Sequence, residues 1–165
     1  MEKPLLDEVV LLDAGTLITL DCYYGLLEIR SRKPGTEIHV PKLVLEKEYI
    51  PPKEKAEYKE AYSKVYIKEV RAIEDDDTKV FDRFYNKIWP KVGKSPVRER
   101  KNRGEAWALS LGIRLIELGF CSKVVFITSE KVPSRERFRA IAEEMGCPAG
   151  RFMVEGIDYL LELIR

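Results

Sequence analysis

The sequence predicts an α/β fold in which a parallel sheet is covered by helices on both faces. Two observations lead there. Short continuous apolar runs, "VVLL" at 9–12 and "KVVFIT" at 123–128, lack the alternation of a half-exposed strand and read as strands buried on both faces. Between and after them lie segments with apolar residues at helical spacing, and alternating strands and helices define this class.

In order, Glu8 to Leu12 reads as the first strand, with Thr16 placed to cap a helix carrying Leu17, Leu20, Tyr24 and Leu27. "EIHVP" (37–41) is a second strand stopped by Pro41, and "KLVLEKEYI" (42–50) a short helix stopped by Pro51 and Pro52. "KEKAEYKEAYS" (53–63) is a charged helix, and "KVYIKEVRAI" (64–73) a β-branched strand. "EDDDT" opens a helix whose Asp75 to Asp77 complement the helix dipole, while 89–104 is a cation-rich loop. "GEAWALSLGIRLIELGF" (104–120) is apolar nearly all round and is expected to be central. After the 123–128 strand, 133–146 places Phe138, Ile141, Ala142 and Met145 on one face, with Gly146 as the residue ending the helix. Arg151 to Val154 forms a short strand, and the terminal helix carries Ile157, Leu160, Leu161 and Ile164 on one stripe.

The chain of 165 residues suits a single domain over 1–165 with a core large enough to need no disulfide or metal staple. Lys plus Arg (29) nearly balances Asp plus Glu (28), so any polyanion surface must come from local clustering. Cys22, Cys121 and Cys147 are odd in number and lack metal spacing, which reads as reduced thiols in a cytoplasmic protein. No leader or membrane-spanning stretch is expected. The single histidine, His39, is structural, which excludes chemistry based on a histidine pair or a zinc cluster. The lack of glutamine, with asparagine only at 86 and 102 and charge on 35% of residues, suits a protein that works hot.

Ligands of open parallel sheets bind beyond the carboxyl ends of the strands, near the reversal in strand order. Asp13 follows the first strand, Glu130 follows "VVFIT", and Glu105 opens the most apolar helix. A fourth acid comes from Glu46 or Glu48, on a short helix after a strand and proline. Gathered carboxylates repel, and burial raises the cost, so such a cluster needs a divalent cation. Oxygen ligands without histidine or thiolate select Mg²⁺ or Mn²⁺. Each acid also has an ordinary role open to it: Asp13 as a helix cap, Glu105 as a first-turn acid, Glu130, Glu46 and Glu48 as solvated side chains.

In this order along the chain, Asp13-Ala14-Gly15-Thr16-Leu17, "VPKLVLEKEY", "GEAWALSL" and "VVFITSE" followed by "FRAIAEEMG" resemble the motifs of PIN domains, metal-dependent ribonucleases, over nearly the whole chain. The resemblance implies a three-layer α/β/α sandwich around a mainly parallel sheet of about four to five strands. It implies Asp13, Glu105 and Glu130 as metal ligands, with Glu48 completing the catalytic set. The family spacing falls on Lys47; Leu45 and Tyr49 as neighbours favour Glu48, and Glu46 stays open. Thr128 or Ser129 would orient a water or a carboxylate. The bound Mg²⁺ or Mn²⁺ would supply an activated water for in-line attack on an RNA phosphodiester, leaving a 5′-phosphate and a 3′-hydroxyl. Lys94, Arg98, Arg100, Lys101 and Arg103, in the loop leading to Glu105, would contact RNA phosphates.

Two other phosphate-handling families share part of the opening motif. Haloacid-dehalogenase-like phosphatases need a second aspartate, absent here, and actin-like sugar kinases need two related domains. A toxin paired with an antitoxin protein, and an RNA-processing factor, both fit the nuclease reading, with a homodimer expected. Lys47 and Ser129 favour the alternative, a catalytically degenerate PIN-like module that binds RNA or protein.

Overall fold

A computed structural model of the chain describes residues 6–19, 28–29, 31–40, 66–67, 103–128 and 132–164. The strands are β1 (Leu6–Leu12), β2 (Glu28–Ile29), β3 (Thr36–His39), β4 (Tyr66–Ile67), β5 (Cys121–Ile127) and β6 (Phe152–Glu155). The helices are α1 (Ala14–Thr19), α2 (Arg103–Glu117), α3 (Val132–Glu144) and α4 (Ile157–Ile164). Four strands form one sheet in the order β3-β1-β5-β6, every pair parallel. β2 and β4 form a separate parallel pair. The expected α/β class with a parallel sheet is therefore present. The segments read as helices at 42–50 and 53–63, the acidic helix opening at 74 and residues 89–102 of the cationic loop lie outside the described residues, and the strand read at 64–73 is described only at 66–67; the last two residues read as loop, Arg103 and Gly104, are instead the start of α2.

The two central strands are the two continuous apolar runs. Val9 to Leu12 and Val124 to Ile127 are fully buried, and their side chains divide between the faces by the two-residue period of a strand. On one face Val9, Leu11, Val124, Phe126 and Phe152 pack with α2 and α3. On the other Val10, Leu12, Ile38, Val125 and Ile127 pack with Leu160, Leu161 and Leu163 of α4. Handedness explains this sorting. The steps from β3 to β5 and from β5 to β6 move the same way across the sheet, so right-handed crossovers put α2 and α3 on one face.

α2 is central, as its composition predicts: Ala108, Leu109, Leu111, Ile113, Leu115 and Ile116 are all buried. It lies tight against the sheet at Gly112, where an added Cβ would meet Phe152 Cε2 at 2.6 Å and Val124 Cγ1 at 3.0 Å. α3 buries Phe138, Ile141 and Ala142, with Met145 packed against the same cluster. Phe138 meets Phe126 with ring centroids 6.1 Å apart and planes tilted by 59°, a favourable aromatic geometry. Past α3, Gly146 takes φ +97°, the left-handed conformation that ends helices, as expected from the sequence.

Charge is also buried within this frame. Glu8, 3% exposed, accepts hydrogen bonds from Tyr159 Oη at 2.9 and 3.0 Å and pairs with Lys123 Nζ at 3.0 Å. His39 is buried on β3 with Nε2 at 2.8 Å from Glu37 Oε2, the structural role expected of it. Cys121 and Cys147 are free and buried. Desolvation pushes the Cys121 thiol up to about 12, with Arg151 opposing the shift, and raises Cys147 in the same way. No described helix is long and apolar enough to cross a membrane.

Candidate functional site

The strand order places the reversal between β1 and β5. From β1 the chain goes to β3 on one side, whereas β5 and β6 lie on the other. Connections diverge at that point, between the carboxyl ends of β1 and β5, where open parallel sheets generally bind ligands. The register pairs Leu12 with Ile127, so the next residues, Asp13 and Thr128, stand side by side there.

Asp13 is 5% exposed, and its Oδ1 accepts the Thr16 N–H at 2.8 Å. This bond caps α1, which begins at Ala14, so of the two caps open in the sequence, Asp13 and Thr16, the helix uses Asp13. The choice has a simple cause. The helix starts directly at the strand end, which puts Thr16 inside its first turn. The Thr16 hydroxyl instead donates to the Ile127 carbonyl at 3.2 Å, tying α1 to the end of β5. Thr128 is buried and its N–H donates to the Glu155 carbonyl at 3.0 Å, tying β5 to β6.

Capping and metal ligation are compatible uses of one carboxylate. An ionised carboxylate offers about four lone-pair positions, and the cap takes one of them. Carboxylate oxygens are donors of the kind hard divalent cations take. Among the described residues no three acidic, histidine or cysteine side chains gather to hold a metal ion. Of the expected site, Glu46, Glu48, Ser129 and Glu130 lie outside those residues, as do Lys94, Arg98, Arg100 and Lys101. Glu105 and Arg103 are described by their backbone in the first turn of α2.

The contact at Gly112 sets the height of that turn. It lies level with Val124 on β5. From residue 112 back to 105 α2 rises by about 10 Å, at 1.5 Å per residue. From residue 124 to 128 β5 rises by about 13 Å in the same direction. The first turn of α2 is thus close to level with the carboxyl edge that carries Asp13 and Thr128.

One basic residue at this edge was missed in the sequence. The Cβ of a residue replacing Gly156, just past β6, would fall 2.9 Å from Arg135 Nη2, 3.0 Å from Nη1 and 3.1 Å from Cζ. Its only signals were an arginine near a helix start and a glycine after a strand, and nothing in the sequence links the two.

Comparison of the chain with protein-family models, with curated proteins and with solved structures returned no match. The class that fold and edge define is an α/β protein with a parallel sheet and a buried aspartate at its topological switch.

Proposed function

We propose that the chain is a divalent-metal-dependent endoribonuclease with a PIN-like three-layer α/β/α architecture. The observation that carries this reading is the burial of Asp13 at the switch point, with the first turn of α2, and so Glu105, close to the same level. Asp13 and Glu105 would hold Mg²⁺ or Mn²⁺ with Glu130, and Glu48, or else Glu46, would complete the acidic set. Thr128 and Ser129 would orient that set, and Lys94, Arg98, Arg100, Lys101 and Arg103 would hold the RNA backbone. The carboxylate of Asp13 at the sheet edge supports the choice of a hard cation, which in turn suits an anionic substrate.

The test is cleavage of mixed RNA in the presence and absence of Mn²⁺, with Asp13→Asn and Glu105→Gln beside the parent chain. The parent is expected to cut only with metal and both variants to lose the activity. Cleavage that persists in both variants sinks the metal-site assignment.

A second reading draws on the cap. Because the Thr16 N–H bond by itself gives Asp13 a structural role, a chain of this fold could keep the aspartate after losing catalysis and act as an RNA- or protein-binding module. Metal or RNA binding by the parent without cleavage would favour it. A toxin would arrest growth on expression and bind an antitoxin partner, whereas a processing factor would co-purify with precursor RNA. Sedimentation of the purified chain tests the homodimer expected of either.

A further inference from the structure

The carboxyl edge carries a cation as well as an acid. Arg135 is half-buried on α3, which starts at this end of the sheet. Its Nη1, Nη2 and Cζ stand at nearly equal distances, 2.9 to 3.1 Å, from the position a Cβ on Gly156 would take. Equal distances to three atoms of a planar group mean that the guanidinium presents its face to the glycine. Gly156 is not among the glycines with positive φ, so its backbone does not demand glycine. What the missing side chain supplies is room for the arginine.

The register fixes where that room lies. Leu12 pairs with Ile127, and Ile127 with Glu155, so Asp13, Thr128 and Gly156 follow one another across three adjacent strand ends. At a strand spacing of about 4.8 Å, Gly156 is on the order of 10 Å from Asp13. A guanidinium with its face on the backbone turns its N–H edges away from that backbone. It carries five donors in a rigid fork, so a contact within the chain and a bidentate contact to a phosphate are compatible.

We propose that Arg135, seated on Gly156, binds a backbone phosphate of single-stranded RNA next to the one presented to the acidic edge. This rests on the nuclease reading and adds to it a direction: the strand runs across the edge from β1 toward β6. Neither the site nor the direction follows from the cationic loop at 94–103, which lies on another segment.

The test measures binding of a labelled, mixed-sequence single-stranded RNA to the full chain across a salt series, in an Asp13→Asn background that prevents cutting. Arg135→Ala is expected to weaken binding about tenfold and to lower the salt slope by about 0.7, the loss of one phosphate contact on a single strand. Arg135→Lys should restore the slope and only part of the affinity, because a point charge replaces a fork. Gly156→Ala should weaken binding in the same direction by displacing the guanidinium. Melting curves of each variant separate these effects from loss of fold, which Arg135→Lys avoids by keeping the charge. Unchanged affinity and slope in Arg135→Ala, with the parent binding RNA and its Asp13 form cutting it, overturn this proposal and leave the nuclease reading intact. A parent chain that binds no RNA at low salt overturns both.

Discussion

β1 carries two buried acids that are satisfied in opposite ways. Glu8, toward its amino end, meets a lysine ammonium and a tyrosine hydroxyl, both on other elements of the same chain. Asp13, just past its carboxyl end, meets the backbone N–H of Thr16 at the head of the helix that follows. The first arrangement closes a charge within the fold. The second uses local backbone to hold a carboxylate at the point where the sheet's connections diverge. Burial of an acid is therefore not in itself a sign of function.

The largest expected effect separates them by chemistry. Asp13→Asn should reduce metal-dependent RNA cleavage at least a hundredfold, which is about 2.7 kcal/mol of transition-state stabilisation, while Glu8→Gln leaves the rate per folded molecule unchanged. A single-turnover assay on both variants checks this, and an equal loss in both would break the comparison.

Stability should divide the other way. Lys123→Ala leaves the Glu8 carboxylate buried without its cation. The expected loss is about 2 kcal/mol, below the range for a fully buried pair because the Lys123 side chain is 38% exposed. Replacing Glu8 and Lys123 together by methionine should recover most of that loss, which urea denaturation of the single and double variants will show.

A smaller effect follows from Tyr159. Its hydroxyl is raised above its ordinary range, first by burial and then by the hydrogen bond to Glu8. A raised acid keeps its proton in the folded chain while the unfolded chain loses it, so stability is complete below the ordinary pKa of 10.0 and falls as pH rises above it. The Cys121 thiol adds a decline between 9.0 and about 12. Tyr159→Phe and Cys121→Ala should each flatten their part of the alkaline decline, and Tyr159→Phe should cost about 1.5 kcal/mol at neutral pH. Melting temperatures across that pH range test both.

The smallest effect sharpens the role of the cap. Asparagine caps as well as aspartate, whereas alanine loses about 1 kcal/mol. Asp13→Asn should therefore melt with the parent and Asp13→Ala a few degrees below it. Equal melting of all three would show that the Thr16 bond contributes nothing to stability.

The elements legible in the sequence were those whose pattern reports burial directly. Val9 to Leu12 and Val124 to Ile127 are apolar without alternation because both faces of the central strands are covered. α2 stood out for the same reason, and Gly146 marked the end of α3 because its φ suits few other residues. Features that depend on strand order were not legible. Glu8 and Lys123 become partners only because β1 and β5 are neighbours with those two residues in register. Arg135 and Gly156 meet only through the packing of α3 beside β6. The sequence left the cap open between Asp13 and Thr16 because both residue types cap helices, and only the helix start distinguishes them. Leu163 is buried although it lies off the stripe read for α4, whose carboxyl end bonds to Arg32 beside β3.

The pairing of β1 with β5 also orders events in time. The Thr16 hydroxyl and the Ile127 carbonyl are 111 residues apart in sequence, so this contact closes most of the chain into a loop. Loops of that length are slow to close, and the contact forms only once β5 has left the ribosome. A growing chain that has not reached Cys121 carries Asp13 beside no β5 strand. Any activity assembled at that edge is thereby withheld until β5 has been made.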